Sequence, residues 1–249
     1  MDEWLDKFFA ATGWDIVQSA VKLSGAQNPA HIPPLLEALS DPLEARRWGA
    51  IYALAFSRSD KRFATSLIRI LLNKGETEKV RTQAAECLAN EPTSKAVWPL
   101  IHSSRDRSAD VRFWCAFALG HQFRRSSNRR RKILRALEAL LTDQTIPKQW
   151  LGWSVGMEAL AALQMLDPTH PTHPRYEELI RHALKDPLGY PELWRWATFY
   201  VNDPKFADLE RKARKALKIA GFDPQIFPHT KQGGARLTPK QAAKLPYFV

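Results

Sequence analysis

The fold is decided by the stretch Val80-Arg81-Thr82-Gln83-Ala84-Ala85-Glu86-Cys87-Leu88, because its pattern recurs along the chain. A basic residue is followed after two positions by a pair of mostly small residues, and after two more by Leu. The same pattern begins at Arg47 and at Arg112, and a fourth copy at 156–163 lacks the basic residue. The intervals are 34, 31 and 44 residues, and a period of this length predicts a repeat protein. The long last interval contains the polar run 124–132, which we interpret as an insertion.

Each copy follows another apolar segment with helical periodicity. Apolar residues recur every three or four positions near 35–39, 67–72, 97–101 and 133–141, which places them on one helical face. A helical hairpin with one apolar side cannot bury that side alone, whereas stacked hairpins share a continuous core. Runs of alternating apolar and polar β-branched residues are not evident, so the sequence predicts an all-α fold, an α-solenoid of antiparallel helix hairpins.

The segments outside the repeats are less regular. We expect N-terminal capping helices at 1–30, the repeat solenoid at 31–166, and a C-terminal helical hairpin followed by a basic amphipathic helix at 167–222. Within that last region, 190–201 is predicted to be a helix, and Gly221 is expected to end the basic helix. Pro and Gly residues punctuate 223–249, which favours an extended tail.

Composition limits the class of protein. With 45% hydrophobic and 25% charged residues in 249, the chain has enough apolar surface for a core, which excludes a fully disordered protein. It contains no apolar run of the roughly 18 residues that a membrane span needs, and its first residues are acidic, unlike a secretory signal. The two cysteines, Cys87 and Cys115, lie in apolar helical stretches and are expected to be reduced. We therefore expect a soluble, cytoplasmic protein with no cofactor or metal.

The positive charge is concentrated in the second half of the chain. The formal net charge is +11, of which residues 1–123 contribute +1 and residues 124–249 contribute +10. This asymmetry predicts an anionic partner, although a solvated charged loop is an equally good explanation of the densest cluster. That cluster comprises Arg124, Arg125, Arg129, Arg130, Arg131, Lys132 and Arg135.

Aromatic residues and the repeat arginines give further candidates for partner binding. Of the nine tryptophans, we take Trp114, Trp150 and Trp153 as candidate contacts, with core packing as the alternative that their size favours. Arg47, Arg81 and Arg112 either line a groove or, as we favour, bind carboxylates and carbonyls of neighbouring repeats.

Two motifs suggest catalysis or metal binding, and neither is convincing. Gly152-Trp153-Ser154-Val155-Gly156 matches the nucleophile elbow of hydrolases, but that motif needs a preceding strand and here both flanks are helical. His170, His173 and His182 have no cysteine nearby, and we expect the first two to be solvated residues of a stiff linker. The sequence therefore favours a protein without catalytic activity.

The Arg81 unit, together with Asp110-Val111-Arg112-Phe113-Trp114-Cys115-Ala116-Phe117-Ala118-Leu119-Gly120, resembles the second helix of HEAT repeats, especially the short type found in phycobilin lyases. The resemblance implies a right-handed solenoid in which an Asp six residues before each Arg forms a structural ladder. Asp41 and Asp106 match that spacing, and Gly75 departs from it.

Such repeats serve many functions, so the resemblance leaves function open. The leading prediction is a scaffold or adaptor that binds an acidic protein through its concave face and its basic C-terminal half. A nucleic-acid-binding protein similar to the alkylpurine DNA glycosylases is the first alternative, and a bilin lyase-like subunit is the second.

Overall fold

The computed structural model describes residues 3–26, 28–55, 61–90, 93–122, 127–148, 153–188 and 204–221. Over these residues the chain forms twelve α-helices and no strand, which confirms the all-α prediction for the part described. Short 3-10 turns precede three of the helices, at Pro29–His31, Ser94–Ala96 and Pro204–Phe206. The helices are α1 (Glu3–Ala10), α2 (Trp14–Ala26), α3 (Ile32–Ala38), α4 (Glu44–Leu54), α5 (Lys61–Leu72), α6 (Glu78–Asn90), α7 (Val97–Ser103), α8 (Ala109–Gln122), α9 (Ser127–Glu138), α10 (Val155–Leu166), α11 (His173–Lys185) and α12 (Ala207–Ile219).

The chain divides into two compact units, residues 1–140 and 141–249. The division falls between the third and fourth copies of the sequence pattern, and the finer domain limits expected from sequence stay predictions. The predicted helix at 190–201 and the predicted tail at 223–249 lie outside the described residues. None of the described helices combines the length and the hydrophobicity that crossing a membrane requires.

The first unit is built from pairs of consecutive helices. Helix α1 packs on α2, α3 on α4, α5 on α6 and α7 on α8. The second helices also contact one another in chain order, α2 with α4, α4 with α6 and α6 with α8. On the other side α5 contacts α7, and α7 contacts α9. The unit therefore has a first-helix layer, which contains α5, α7 and α9, and a second-helix layer, which contains α4, α6 and α8.

The core lies between these two layers. Leu35, Leu67, Leu100 and Ile133 occupy equivalent positions of α3, α5, α7 and α9, spaced by 32, 33 and 33 residues, and all are buried. The helical periodicity of three and four residues thus becomes a row of buried side chains that repeats from pair to pair.

The regular first-helix spacing corrects one sequence interpretation. Because Ile133 follows Leu100 at the same interval that separates the earlier pairs, the described part of the run, 127–132, belongs to a regular repeat helix and is not an insertion. Four of its basic residues lie inside α9, and the extra length falls instead between α9 and α10, at 139–154. The polar composition of the run conceals its helical character because a solvent-facing helical turn needs no apolar residue.

Small residues allow the second helices to approach their neighbours closely. A methyl group added at Gly49 of α4 would lie 2.9 Å from the ring of Phe8 and 3.2 Å from Ile16. Both neighbours are buried side chains of α1 and α2. Glycine at this position therefore sets how closely the first two helix pairs pack.

The second unit contains α10, α11 and α12. Ser154 caps α10, because its side chain accepts a hydrogen bond from the backbone N–H of Met157 at 3.2 Å. Pro174 lies in the first turn of α11, where its missing N–H removes no helical bond. Helix α12 stops before Gly221, which has φ +84° and whose N–H reaches the carbonyl of Lys218 at 3.0 Å. This confirms the predicted end of the basic helix.

Candidate interaction surfaces

The repeat arginines bind the neighbouring helix pair. Arg47 donates through Nε and Nη2 to both carboxylate oxygens of Glu76, each at 2.8 Å, and through Nη1 to the carbonyls of Asp41 and Pro42 at 2.8 and 3.0 Å. Glu76 lies in the loop of the next pair, between α5 and α6. A bidentate ion pair of this kind matches the planar geometry of the guanidinium and fixes its orientation.

Arg81 makes the equivalent contact one pair further on. Its Nη1 donates to a carboxylate oxygen of Asp106, in the loop before α8, and its Nε donates to the carbonyl of Glu76 at 3.2 Å. Arg112 repeats the local part of the pattern, with Nη1 donating to the carbonyls of Asp106 and Arg107 at 2.9 and 3.0 Å. The favoured prediction that these arginines bond neighbouring repeats is confirmed for Arg47 and Arg81.

The departure at Gly75 is compensated by the next residue. Glu76 supplies the carboxylate that the Asp at that step would have supplied, one position later and on a longer side chain. Burial raises the pKa of Glu76, but hydrogen bonds from Arg47 and from the backbone of Thr77 outweigh it, so the net pKa is below its ordinary value. The ladder is therefore continuous from Arg47 through Arg81.

Asp106 is the most buried carboxylate of the ladder. Its side chain is 2% exposed and accepts hydrogen bonds from Arg81, from Lys74 at 2.6 Å and from the backbone N–H of Ser108 at 2.9 Å. Burial raises the pKa of Asp106, and the bonds from Lys74, Ser108 and Arg81 together lower it below its ordinary value. This carboxylate is ionised at neutral pH and joins two helix pairs.

Half-buried groups form a row across the second-helix layer. Tyr52, Glu86 and Phe117 each lie five residues after a repeat arginine, on α4, α6 and α8, and each is partly exposed. Burial raises the pKa of Tyr52, and the nearby charge of Glu86 raises it further. We call these three residues the second-helix row.

Aromatic neighbours pack against both ends of this row. The ring of Tyr52 stacks on Trp48 with centroids 5.5 Å apart and planes 20° apart, and Lys79 of α6 lies 5.2 Å from the Trp48 ring. At the other end the ring of Phe117 stacks on His121 at 3.9 Å. The aromatic groups that remain partly open to solvent are thus packed against neighbouring rings, and such packing restricts the rotamers of a side chain.

The first-helix layer carries a different surface. The exposed positions of α5 are Arg62, Thr65, Arg69 and Leu72. Adding 33 to each of these numbers gives an exposed position in the segment 94–105, which contains α7. On α9 the same interval leads to exposed Arg131, Arg135 and Glu138. The members contributed by α7 and by the turns on either side of it are Lys95, Trp98, His102 and Arg105.

Of the predicted basic cluster, five members are described. Arg129, Arg130, Arg131, Lys132 and Arg135 are all exposed on α9, and Nη1 of Arg129 donates to the carbonyl of Ser94 in the turn before α7. The structure thus joins this part of the cluster to α7. The other two members, Arg124 and Arg125, lie outside the described residues.

The predicted tryptophans lie in the core where they are described. Trp114 is 6% exposed and Trp153 is fully buried, with its Nε1 donating to the carboxylate of Glu158 at 3.0 Å. Both follow the core-packing alternative, and we leave them out of the interaction surfaces. Trp150 lies outside the described residues. The tryptophan that is widely exposed on the first-helix layer is Trp98, at 66%, which sequence reasoning missed because it sits among apolar neighbours.

The hydrolase-like motif has a structural role. Ser154 is 3% exposed, its hydroxyl caps α10, and the first N–H groups of that helix donate to the carbonyls of Thr145 and Asp143. Ser154 and His182 both line an open cleft of about 660 Å³ in the second unit. A nucleophile elbow instead presents its hydroxyl on a strained turn, free to react, so the coincidental match is the better explanation.

The histidines bond to their own neighbours. His170 is buried, contrary to the expectation of a solvated residue, and its Nδ1 lies 2.9 Å from the hydroxyl of Thr172. His173 lies 2.9 Å from the side-chain oxygen of Gln164 and 2.7 Å from a carboxylate oxygen of Glu177. Within the described residues His, Cys, Asp and Glu form no group of three that would hold a metal ion.

Comparison with known proteins leaves the family open. No family model matches the chain, and no curated protein matches it either. Among solved structures, one titled "Crystal Structure of Engineered Protein", from the Northeast Structural Genomics Consortium, is similar over 90% of this chain and 100% of its own, with a TM-score of 0.47 and 16% identity. A likeness of that degree carries no argument about fold details or function.

Proposed function

We propose that this chain is a helical-repeat adaptor that binds another protein through the face formed by the second-helix row. In this proposal the paired helices of the first unit belong to a right-handed, HEAT-like solenoid, and the second helices line its concave side. The chain-order contacts among α2, α4, α6 and α8 support that arrangement.

The observation that carries the proposal is the second-helix row itself. Protein interfaces concentrate binding energy in a few aromatic and Arg residues, surrounded by groups that exclude water. Tyr52 and Phe117 are aromatic, partly exposed and held by stacking, and Trp48 adds a third ring beside Tyr52. Because stacking restricts their rotamers, less side-chain entropy is lost when a partner covers them.

The charge of the chain favours an acidic partner. The net charge of +11 includes α12, where Arg211, Lys212, Lys215 and Lys218 are exposed. Positive potential of this kind raises the rate at which an acidic protein is encountered, and this effect weakens as salt is added. Affinity would still depend on the aromatic row, because solvent-exposed charges contribute little once water screens them.

A pull-down from native lysate tests the proposal. Full-length protein would be immobilised as wild type and as Trp48→Ala/Tyr52→Ala, and each lysate would be treated with nuclease beforehand. We expect a near-stoichiometric protein that the wild type retains and the double variant loses. The matched control is Lys212→Gln/Lys215→Gln on α12, which we expect to retain the same protein at low salt.

Two results would contradict the adaptor. One is that the wild type retains no protein once nucleic acid has been digested. The other is that the double variant, with an unchanged circular dichroism spectrum, retains the same partner as strongly as the wild type.

A further inference from the structure

The first-helix layer and the second-helix layer of the first unit differ in charge. The segments 61–72, 94–105 and 127–138 contain ten Lys and Arg residues against one acidic residue, Glu138. The second-helix segments 44–54, 78–90 and 109–122 contain five basic and four acidic residues. The modest net charge of the first half of the chain conceals this difference, because acidic residues are concentrated away from the first helices.

Six of the basic residues form one face. Arg62, Arg69, Lys95, Arg105, Arg131 and Arg135 are exposed at equivalent positions of consecutive segments, which we call the basic face. Helix α7 contacts both α5 and α9, so the three segments are neighbours, and Arg129 bonds the start of α9 to the turn before α7. The face therefore lies within one unit and on one layer.

We infer that the basic face binds the phosphate backbone of a nucleic-acid duplex. Packed helices lie about 8–10 Å apart, and seven residues along a helix span about 10 Å. The paired cations are seven residues apart on α5, ten apart around α7 and four apart on α9, so neighbouring cations are separated by about 6–15 Å. Phosphate rows bordering the grooves of a duplex are separated by about 6 and 12 Å, so long basic side chains at these separations reach both rows.

The side-chain chemistry supports phosphate as the ligand. Five of the six residues are Arg, whose planar guanidinium binds phosphate through two parallel hydrogen bonds. Trp98 lies within the face and is 66% exposed, which offers an aromatic surface to sugars or unpaired bases. Backbone contacts of this type carry no sequence information, so binding is expected to be insensitive to sequence.

Other partners fit this face less well. The centre of a protein interface is depleted of charged residues, whereas six of the exposed side chains of the basic face are cationic. A helix that lies in a membrane surface presents a continuous apolar row, whereas the large apolar groups on this face are Trp98 and Leu72, which lie on different helices. The inference does not depend on the proposed adaptor function, because it uses the opposite layer.

Fluorescence anisotropy with labelled duplexes tests the inference. The full-length protein would be titrated into a 20-base-pair DNA duplex and the RNA duplex of the same sequence, at about 50–300 mM NaCl. The test variant is Arg69→Gln/Arg131→Gln/Arg135→Gln, and the matched control is Lys212→Gln/Lys215→Gln/Lys218→Gln. Both remove three exposed positive charges, but the control removes them from α12.

The expected result is a steep salt dependence that the test variant reduces. Each lost phosphate contact lowers the slope of log K against log salt by about 0.9, so three lost contacts lower it by about 3. At low salt we expect about a tenfold or greater loss of affinity for the test variant and less than about threefold for the control. Whichever duplex binds more tightly identifies DNA or RNA as the preferred source of the phosphates.

A charge-conserving variant separates binding from folding. Arg69→Lys/Arg131→Lys/Arg135→Lys should retain the steep slope, with an unchanged melting temperature in all variants. Equal losses in the test and control variants would show that binding follows net charge alone and would overturn the inference. The inference would also be overturned if the wild type bound neither duplex at the lowest salt, whether or not it bound phosphatidylserine vesicles.

Discussion

The buried carboxylate of Asp106 is the contact whose removal should be most visible in stability. In Asp106→Asn the side-chain oxygen still accepts from the backbone N–H of Ser108, while the amide replaces the oxygen that accepts from Arg81 and Lys74. Arg81, with 10% of its side chain exposed, then keeps its charge without the carboxylate. Removing one partner of a buried ion pair costs about 3–5 kcal/mol.

The magnitude follows from how exposed the two cations are. Lys74 is 55% exposed and contributes less than about 1 kcal/mol, so we assign most of a loss of about 3 kcal/mol to Arg81. For a chain of this size the melting temperature falls by about 2–4 °C per kcal/mol, which gives about 6–12 °C. Urea unfolding followed by circular dichroism measures the loss, and Lys74→Gln is the matched control.

Acid provides the second part of the test. The pKa of Asp106 is lower in the folded chain than the ordinary value near 3.9, so the carboxylate stabilises the fold above about pH 4. That stabilisation is lost as the pH falls through the folded-state pKa. The gap between wild type and Asp106→Asn should therefore be constant from about pH 5 to 7 and narrow below about pH 4.

Two outcomes would refute this reasoning. Asp106→Asn could unfold within about 1 kcal/mol of wild type at neutral pH, or the gap could persist unchanged in acid. A further variant distinguishes charge from packing: in Asp106→Leu/Arg81→Met both charges are absent. It should recover much of the lost stability, because a buried pair replaced by apolar groups of similar volume is often neutral or better.

Three other predictions follow from the packing. Gly49→Ala should lower the free energy of unfolding by about 1 kcal/mol, because crowding against Phe8 outweighs the gain in helix propensity; a more stable variant in urea unfolding would contradict the close approach. Cys87 and Cys115 are buried, and burial raises the pKa of Cys115. Neither thiol should therefore react with Ellman's reagent until urea is added. Rapid reaction of the native protein would contradict the burial of the thiols. Ser154→Ala should cost about 1 kcal/mol through loss of the helix cap and leave any background hydrolysis of nitrophenyl acetate unchanged; a loss of hydrolysis would restore the nucleophile hypothesis.

The helices and their buried faces were predictable because they depend on short-range spacing. Apolar residues at intervals of three and four mark the face that is buried, as Leu67 and Leu100 show, and Gly221 marks the end of α12. The role of Arg47 and Arg81 was also predictable, because a partly buried guanidinium requires acceptors nearby.

The basic face was not predictable from the charge of either half of the chain. Its members are about 33 residues apart in sequence and become neighbours when α5, α7 and α9 pack side by side. The carboxylate of Glu76 was missed for a similar reason, since a shift of one residue in a loop breaks a sequence pattern but is absorbed by a longer side chain.

Sequence by itself determined the helical class of the described residues and the inward direction of their apolar side chains, because both depend on spacing within about two helical turns. Only the tertiary structure decided which large side chains stay outside. Trp98 and Trp114 both lie in apolar helical stretches, yet one is 66% and the other 6% exposed. The difference arises because exposure depends on which neighbouring helix covers a position, and that neighbour is distant in sequence.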